Sequence, residues 1–155
     1  MATREELIAR LNDVLAWELA GVIQYMHGAV LVGGKWRLGY QSFFHDGSKE
    51  ARDHAEAVGN KVVALGGVPT VEPAKIRQGT SIDELLENAL LLEQDALAAW
   101  ERALEVGDAV NLGTKLWIEE MITHEQEHVD DLMKLTGKAG IASSGSGGAS
   151  ATRTA

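Results

Sequence analysis

Four stretches of this chain repeat their apolar residues with a period near 3.6, and little interrupts them. Prolines occur only at positions 69 and 73. The first stretch runs from about residue 3 to 32, with Leu7, Leu11, Val14, Val22, Tyr25 and Ala29 on one face. The second runs from about 38 to 65 and stops at "LGGVP", a glycine end with proline just beyond. The third opens at "SIDE", where Ser81 is placed to cap a helix and Glu84 to complete a capping box, and extends to about 106. The fourth covers about 111 to 136. Short connections after the first and third stretches imply antiparallel hairpins, and the long one after the second can cross the length of a bundle. The expected fold is all-α: an antiparallel four-helix bundle with one long crossover between its second and third helices, and no fifth helix.

The bundle is expected to fill residues 1–137. Residues 138–155, "KAGIASSGSGGASATRTA", have the glycine, serine and alanine content of a flexible tail. The chain contains no cysteine, which excludes disulfides, zinc–thiolate sites, iron–sulfur clusters and thiol catalysis. A net charge of −9 argues against a nucleic-acid partner, which needs basic surface, and is compatible with attracting cations. The charged, amphipathic "MATREELIARLNDVLAW" does not resemble a secretory signal, and no long uncharged apolar run suggests a membrane span. A cytoplasmic protein is the expectation.

Each helical stripe is interrupted near its middle by an acid or a histidine. Leu11 and Val14 lead to Glu18; Leu86, Ala89 and Leu90 lead to Glu93; Trp117 and Met121 lead to Glu125 and His128. On the second helix Phe43 and Gly47 lead to the Glu50/Ala51 position and then His54. One such residue would be an ordinary stripe edge, and a lone Glu-x-x-His is usually a surface pair. Several carboxylates converging without a counter-charge would cost several kcal/mol each, against a total stability of roughly 5–15 kcal/mol. No lysine or arginine occupies these stripes at mid-height, so a bound cation is the natural source of the missing charge. The spacing also repeats. Glu18 is as far from Glu50 as Glu93 is from Glu125, and the separations Glu18 to His54 and Glu93 to His128 differ by a single position. Carboxylates and imidazoles without sulfur, drawn from four helices, suit a di-iron or manganese centre.

"ELAGVIQY" with Glu18 and Tyr25, "DHAEAV…LGGVP" with His54, "LLEQD" with Glu93 and "EQEHVDDL" with Glu125 and His128 together resemble the ferritin-like superfamily, specifically the bacterioferritins. The resemblance covers about residues 4 to 136. It implies a di-iron centre that oxidises ferrous iron with oxygen or peroxide, and a hollow homo-oligomeric shell that stores the product. It also implies that Glu18, His54, Glu93, Glu125 and His128 are the catalytic metal ligands, with Tyr25 beside them. Three departures stand out. The family has a glutamate three residues before the second-helix histidine; here that position is Ala51, and Glu50 precedes it. The haem-binding methionine of the family is Arg52, so haem is not expected. The short fifth helix is replaced by the glycine-serine tail, which favours a shell of 12 subunits over one of 24.

Glu50 is the ambiguous ligand. It lies about 100° around a regular helix from Ala51. A one-residue π-bulge between 50 and 54 would swing it onto the metals, and that outcome is the one expected; a regular helix would leave it a supporting partner. Two other functions fit the residues: a di-iron oxidoreductase or peroxide-detoxifying protein that builds no shell, and a shell protein whose site has decayed at Ala51. His27 and His45 are expected at the surface or at helix ends. His124 is placed either to orient a ligand or to face solvent, and Trp17, Trp36, Trp100 and Trp117 to pack or form interfaces.

Overall fold

The computed structural model describes residues 2–107 and 111–141. Four α-helices carry the fold: α1 (Arg4–Leu31), α2 (Arg37–Ala64), α3 (Ile82–Leu104) and α4 (Leu112–Leu135), with a 3-10 turn at Gly34–Trp36 between α1 and α2. No strand occurs among the described residues.

The helix ends follow the local chemistry. Thr3 and Glu6 form a reciprocal capping box on α1, with the Thr3 side chain accepting from the Glu6 N–H and the Glu6 carboxylate accepting from the Thr3 N–H. Ser81 accepts from the Glu84 N–H at 3.2 Å, as expected, but the return arm differs. The Glu84 carboxylate takes the N–H and hydroxyl of Thr80, because the chain before α3 turns Thr80 toward it. Asn111 caps α4 by accepting from the Thr114 N–H at 2.9 Å. The predicted glycine stop of α2 is a Schellman ending. Gly66 adopts a left-handed conformation, with φ at +85. The Gly67 N–H reaches back to the Val62 carbonyl at 2.9 Å.

The crossover after α2 is tied down along α1. The Thr70 N–H donates to the Asn12 side chain at 2.8 Å, the Ala74 N–H to the Ala16 carbonyl at 2.8 Å and the Arg77 N–H to the Gln24 side chain at 2.8 Å. The His27 ring meets the Gly79 carbonyl at 3.3 Å. The segment therefore climbs from the start of α1 to its end before α3 begins, which makes α3 antiparallel to α1. Gln24 joins the two, because its amide also donates to the Asn88 carbonyl.

Close packing joins α1 to α2, α1 to α3 and α3 to α4, whereas the Cα traces of α2 and α4 nowhere approach within 8 Å among the described residues. The bundle is closed on three sides, and its fourth seam is bridged by side chains alone. Two apolar clusters fill the interior. One holds Leu7, Leu11, Val14, Val58, Val62, Trp100, Ile118 and Met121; the other holds Tyr25, Phe44, Leu86, Leu90, Val129 and Leu132.

The stripes are rotated slightly from the sequence expectation. Phe44, not Phe43, is fully buried, and Gly21 and Gln24 face inward where Val22 was expected. Small residues permit this register: a Cβ on Gly28 would lie 3.0 Å from the Phe44 ring, and one on Gly21 would lie 3.1 Å from the Ala51 Cβ. α1 is long and apolar enough to cross a membrane by length and composition, but half of that stretch is buried in the bundle. No helix follows α4 as far as residue 141. Most of the predicted tail, residues 142–155, lies outside the described residues.

Candidate metal centre

Between the two apolar clusters lies a belt of polar side chains, one set from each helix. Glu18 from α1, Glu93 from α3 and Glu125 from α4 are all buried. His54 from α2 and His128 from α4 stand beside them with rings 6.3 Å apart and 13° from parallel. Glu18, His54 and Glu125 each offer one ligand atom within 4.8 Å of the others, and so do Glu93, Glu125 and His128. Glu125 belongs to both groups. The near-repeat in sequence thus becomes two three-residue clusters sharing one carboxylate.

The imidazoles meet the acids through Nδ1. His54 Nδ1 lies 3.1 Å from Glu125 and 3.6 Å from Glu18. His128 Nδ1 lies 3.7 Å from Glu93 and 3.8 Å from Glu125. Two neighbours hold the outer carboxylates from behind. Trp100 Nε1 donates to Glu18 at 3.2 Å, and the Tyr25 hydroxyl donates to Glu93. Tyr25 takes this position because Gly47 leaves room for it; a Cβ there would lie 2.8 Å from its ring.

Burial and mutual charge strain the metal-free cluster. Burial pushes Glu18 up to about 8, with the Glu125 charge adding to it against the hydrogen bond from His54. Burial likewise raises Glu93, opposed by its pairing with His128. Burial works against the Glu125 charge too, yet the two histidines outweigh it and hold this carboxyl well below the usual carboxylate range. The His54 cation is disfavoured by burial, but its hydrogen bonds to Glu125 and Glu18 prevail and raise it to about 10. Pairing with Glu125 and Glu93 lifts His128 to about 11. Burial and the Glu93 charge push the Tyr25 phenol well above its ordinary value. Protons on the histidines stand in for cationic charge, and a metal ion would displace them. The cavity beside these groups, about 180 Å³, has no lysine or arginine among its described lining residues. A donor set of three carboxylates and two imidazoles without sulfur fits iron or manganese.

Residues 8–142 match the ferritin-like domain family. The chain is also 33% identical over 138 residues to a bacterioferritin of Brucella melitensis, covering 85% of this chain and 83% of that protein.

The chain belongs to the ferritin-like family.

A solved ferritin-like, di-iron-carboxylate protein from Bacillus anthracis superposes on it with a TM-score of 0.82 and 31% identity, covering 86% of this chain and 96% of the other. The fold is also that of a dodecameric thioferritin, the bacterioferritin-related protein of Bacteroides fragilis, with a TM-score of 0.77 and 23% identity over 87% of this chain and 86% of that one. As a ferritin-like protein the chain carries a Glu/His cluster consistent with a di-iron carboxylate centre, and its resemblance to the bacterioferritins stands.

Five of the six residues expected at the centre come together as two clusters. Glu50 is placed differently. α2 runs as uninterrupted α-helix through residues 50–54, without the π-bulge, and Glu50 belongs to neither cluster. Its carboxylate lies at the cavity mouth, 48% exposed, and meets His128 Nε2 at 3.2 Å, on the ring edge away from Glu93 and Glu125. Val129 and Leu132 are buried on α4, whereas Leu135 is 43% exposed. His124 is exposed and does not touch the centre. His45 is exposed beside Asp46, 3.8 Å away. Arg52 lies on the outer face of α2 in a groove with Met26 and Leu38. Sequence reasoning missed the Trp100–Glu18 bond. The position of Trp100, two helical turns beyond Glu93, put the indole on the right face, but not its N–H against a carboxylate from another helix.

Proposed function

We propose that this protein is a ferroxidase and a subunit of an iron-storing shell. Ferrous iron is the substrate, and Glu18, His54, Glu93, Glu125 and His128 are its ligands. The observation that carries this reading is the pair of buried clusters joined at Glu125, each with two carboxylates and one imidazole. Two adjacent ferrous ions each give up one electron. With two protons these electrons reduce dioxygen to hydrogen peroxide, or hydrogen peroxide to two waters. The chain's part is to hold the pair close together and neutralise its charge in both oxidation states. Trp100 and Tyr25 fix the outer carboxylates from behind, and Glu50 fixes the His128 ring so that Nδ1 faces inward. The open seam between α2 and α4 gives ions and oxidant a way in.

The shell is supported by apolar side chains on the outer surface. Met26, Val30 and Leu38 are all exposed, Leu38 almost completely, which is more than an isolated thin bundle needs. Twelve subunits is the preferred count and 24 the alternative, the dodecameric relative supporting the smaller shell. Haem is not part of the proposal, because a guanidinium at Arg52 cannot replace a thioether ligand. Stopped-flow oxidation of ferrous iron by metal-free protein, read beside light scattering, tests both halves. Two ferrous ions oxidised per chain by a large closed particle is the expected result. A monomer or dimer that oxidises iron would retain the centre and remove the shell; a large particle that oxidises none would retain the shell and remove the ferroxidase.

A further inference from the structure

A path of oxidisable side chains leads from the metal centre to the surface. It begins at Glu18, whose carboxylate accepts the Trp100 indole N–H at 3.2 Å. Trp100 is fully buried. Its ring meets Trp117 edge-on, with centroids 5.3 Å apart and planes at 78°, which is direct aromatic contact. Trp117 is half-buried, so this second indole reaches solvent. The Lys61 ammonium lies 5.1 Å from the centre of the Trp117 ring. Tyr25, the oxidisable group behind Glu93, has no such continuation: its ring neighbours among the described residues are Phe43 and Phe44, which are far harder to oxidise. The centre itself creates a need for an extra electron. Its two imidazoles are unequally accessible, His54 at 13% and His128 at 28%, so a chain holding a single ferrous ion is an expected state during filling. Hydrogen peroxide takes two electrons to become water. A lone ferrous ion offers one, and would leave a hydroxyl radical inside the bundle.

We propose that Trp100 and Trp117 form an electron relay, which supplies the second electron when hydrogen peroxide meets a centre holding one ferrous ion. The inference rests on the ferroxidase reading above and adds to it two residues outside the ligand set. The O–O bond of peroxide breaks, and the ferrous ion and the Trp117 indole each lose one electron. The indole N–H and one proton from solvent supply the two protons, so the products are one ferric ion, two waters and a neutral indolyl radical. Trp100 passes the electron inward from Trp117. The radical rests at Trp117 because of where a proton can go. Trp100 is sealed from water and its N–H faces Glu18, so it has no solvent to release a proton to. Trp117 reaches water, and the Lys61 charge beside its ring disfavours a positive indole and so favours loss of the proton. A second ferrous ion, arriving from solution at the surface, then returns one electron to the radical. With one proton this restores the indole and yields a second ferric ion. Two ferrous ions are thus oxidised per peroxide without both having to occupy the centre.

The test loads metal-free, full-length protein with one ferrous ion per chain, adds hydrogen peroxide and freezes the mixture during the reaction. Electron paramagnetic resonance reads the radical, and ring-deuterated tryptophan separates an indole signal from a phenol signal. Mass spectrometry of peptides then locates the oxidised indoles. The expected result is an indolyl radical whose spectrum narrows on deuteration, with oxidation found at Trp117. Trp117→Phe keeps an aromatic ring against Trp100 and leaves the Trp100–Glu18 bond in place. It should still bind two manganese ions in equilibrium dialysis and should lose the indolyl signal. Trp100→Phe keeps Trp117 but interrupts the path, and should lose the signal as well. An undiminished radical in Trp117→Phe overturns the proposal, as does a tyrosyl radical alone, oxidation confined to Trp17 or Trp36, or iron oxidised by wild type with no protein radical at all. Wild-type protein that oxidises no iron, with one ferrous ion per chain or with two, would sink the ferroxidase reading and this inference with it. Should a variant not fold, the deuterated wild type and the position of its oxidised indole decide the matter.

Discussion

His54 and His128 face each other with nearly parallel rings, yet they live in different surroundings. His54 is 13% exposed and shares Glu18 and Glu125, with Trp100 closing the far side of Glu18. His128 is 28% exposed, sits at the cavity mouth, and carries Glu50 on its outer nitrogen. The sequence repeats the candidate ligand types almost evenly between the two hairpins. The surroundings make one half closed and the other accessible, because the His54 half backs onto the indole of Trp100 while the His128 half opens through the α2–α4 seam. Glu125 joins the halves, whereas Glu50, its counterpart in the sequence repeat on α2, stays at the cavity mouth outside both clusters. Similar ligands in two halves therefore need not make two equal sites.

The largest effect should come from removing the shared carboxylate. Glu125→Ala takes one ligand from both clusters, and ferrous oxidation should fall by more than about 100-fold, beyond the usual 10–100-fold cost of losing a supporting group. Stopped-flow absorbance measures this; oxidation within threefold of wild type, roughly 0.65 kcal/mol in barrier height, would show that Glu125 does not join the halves.

Single-cluster substitutions separate the halves. Glu18→Ala should empty the closed half, and Glu93→Ala or His128→Ala the accessible one. Each should lower tightly bound metal from two ions to one and slow oxidation by on the order of 10–100-fold while leaving the helical content intact. Equilibrium dialysis with manganese counts the ions. Loss of both ions in every variant would mean that the centre acts as one indivisible unit.

Titration sharpens the contrast in the metal-free protein. His54 and His128 are raised from 6.5 to about 10 and about 11, so their pairing stabilises the fold fully below pH 6.5 and fades as pH rises through those values. Glu18, raised from 4.5 to about 8, also binds its proton more tightly when folded, so its contribution is lost as pH rises through about 8. Glu125 runs the opposite way: its contribution is present above pH 4.5 and is lost as pH falls below it. Between pH 6.5 and about 10 the folded state therefore holds more protons than the unfolded chain, and thermal stability should decline steadily. Manganese should flatten that decline, since metal-bound ligands have already released their protons. A calorimetric melting temperature that rises over this window would contradict the charge arrangement.

The groups behind the carboxylates should give the smallest effects. Trp100→Phe leaves buried Glu18 without its indole donor and should cost about 1–3 kcal/mol of stability in urea, in addition to the volume lost. Tyr25→Phe removes the donor on Glu93 and should slow oxidation by less than about tenfold, at the weak end of supporting-group effects. A larger loss in Tyr25→Phe than in Glu93→Ala would make the phenol itself a participant.

Much of the fold was legible because helix formation and helix packing leave a periodic trace. The four helices, the glycine ending of α2 and the long crossover follow from apolar spacing and turn residues that act locally. The inward positions of Glu18, His54, Glu93, Glu125 and His128 follow the same period. What the period cannot carry is rotation by a fraction of a turn, and that decided Phe44 over Phe43 and kept Glu50 at the cavity mouth. Those outcomes depend on how closely two backbones approach, which Gly21, Gly28 and Gly47 permit and only the assembled bundle expresses. The Glu84 carboxylate turned to Thr80 for a related reason, since the path of the preceding chain fixes which N–H is free to meet it.

By itself, then, the sequence determined the helices, their order, the candidate ligand types and their approximate height in the bundle, because each of these depends on local periodicity and chemical identity. Tertiary structure alone decided that Glu125 serves both clusters, that Trp100 and Tyr25 steady the outer carboxylates, and that the space beside Ala51 opens through the seam between α2 and α4. These are contacts between residues as many as 82 positions apart, and they exist only once four helices have been set against one another at fixed distances and rotations.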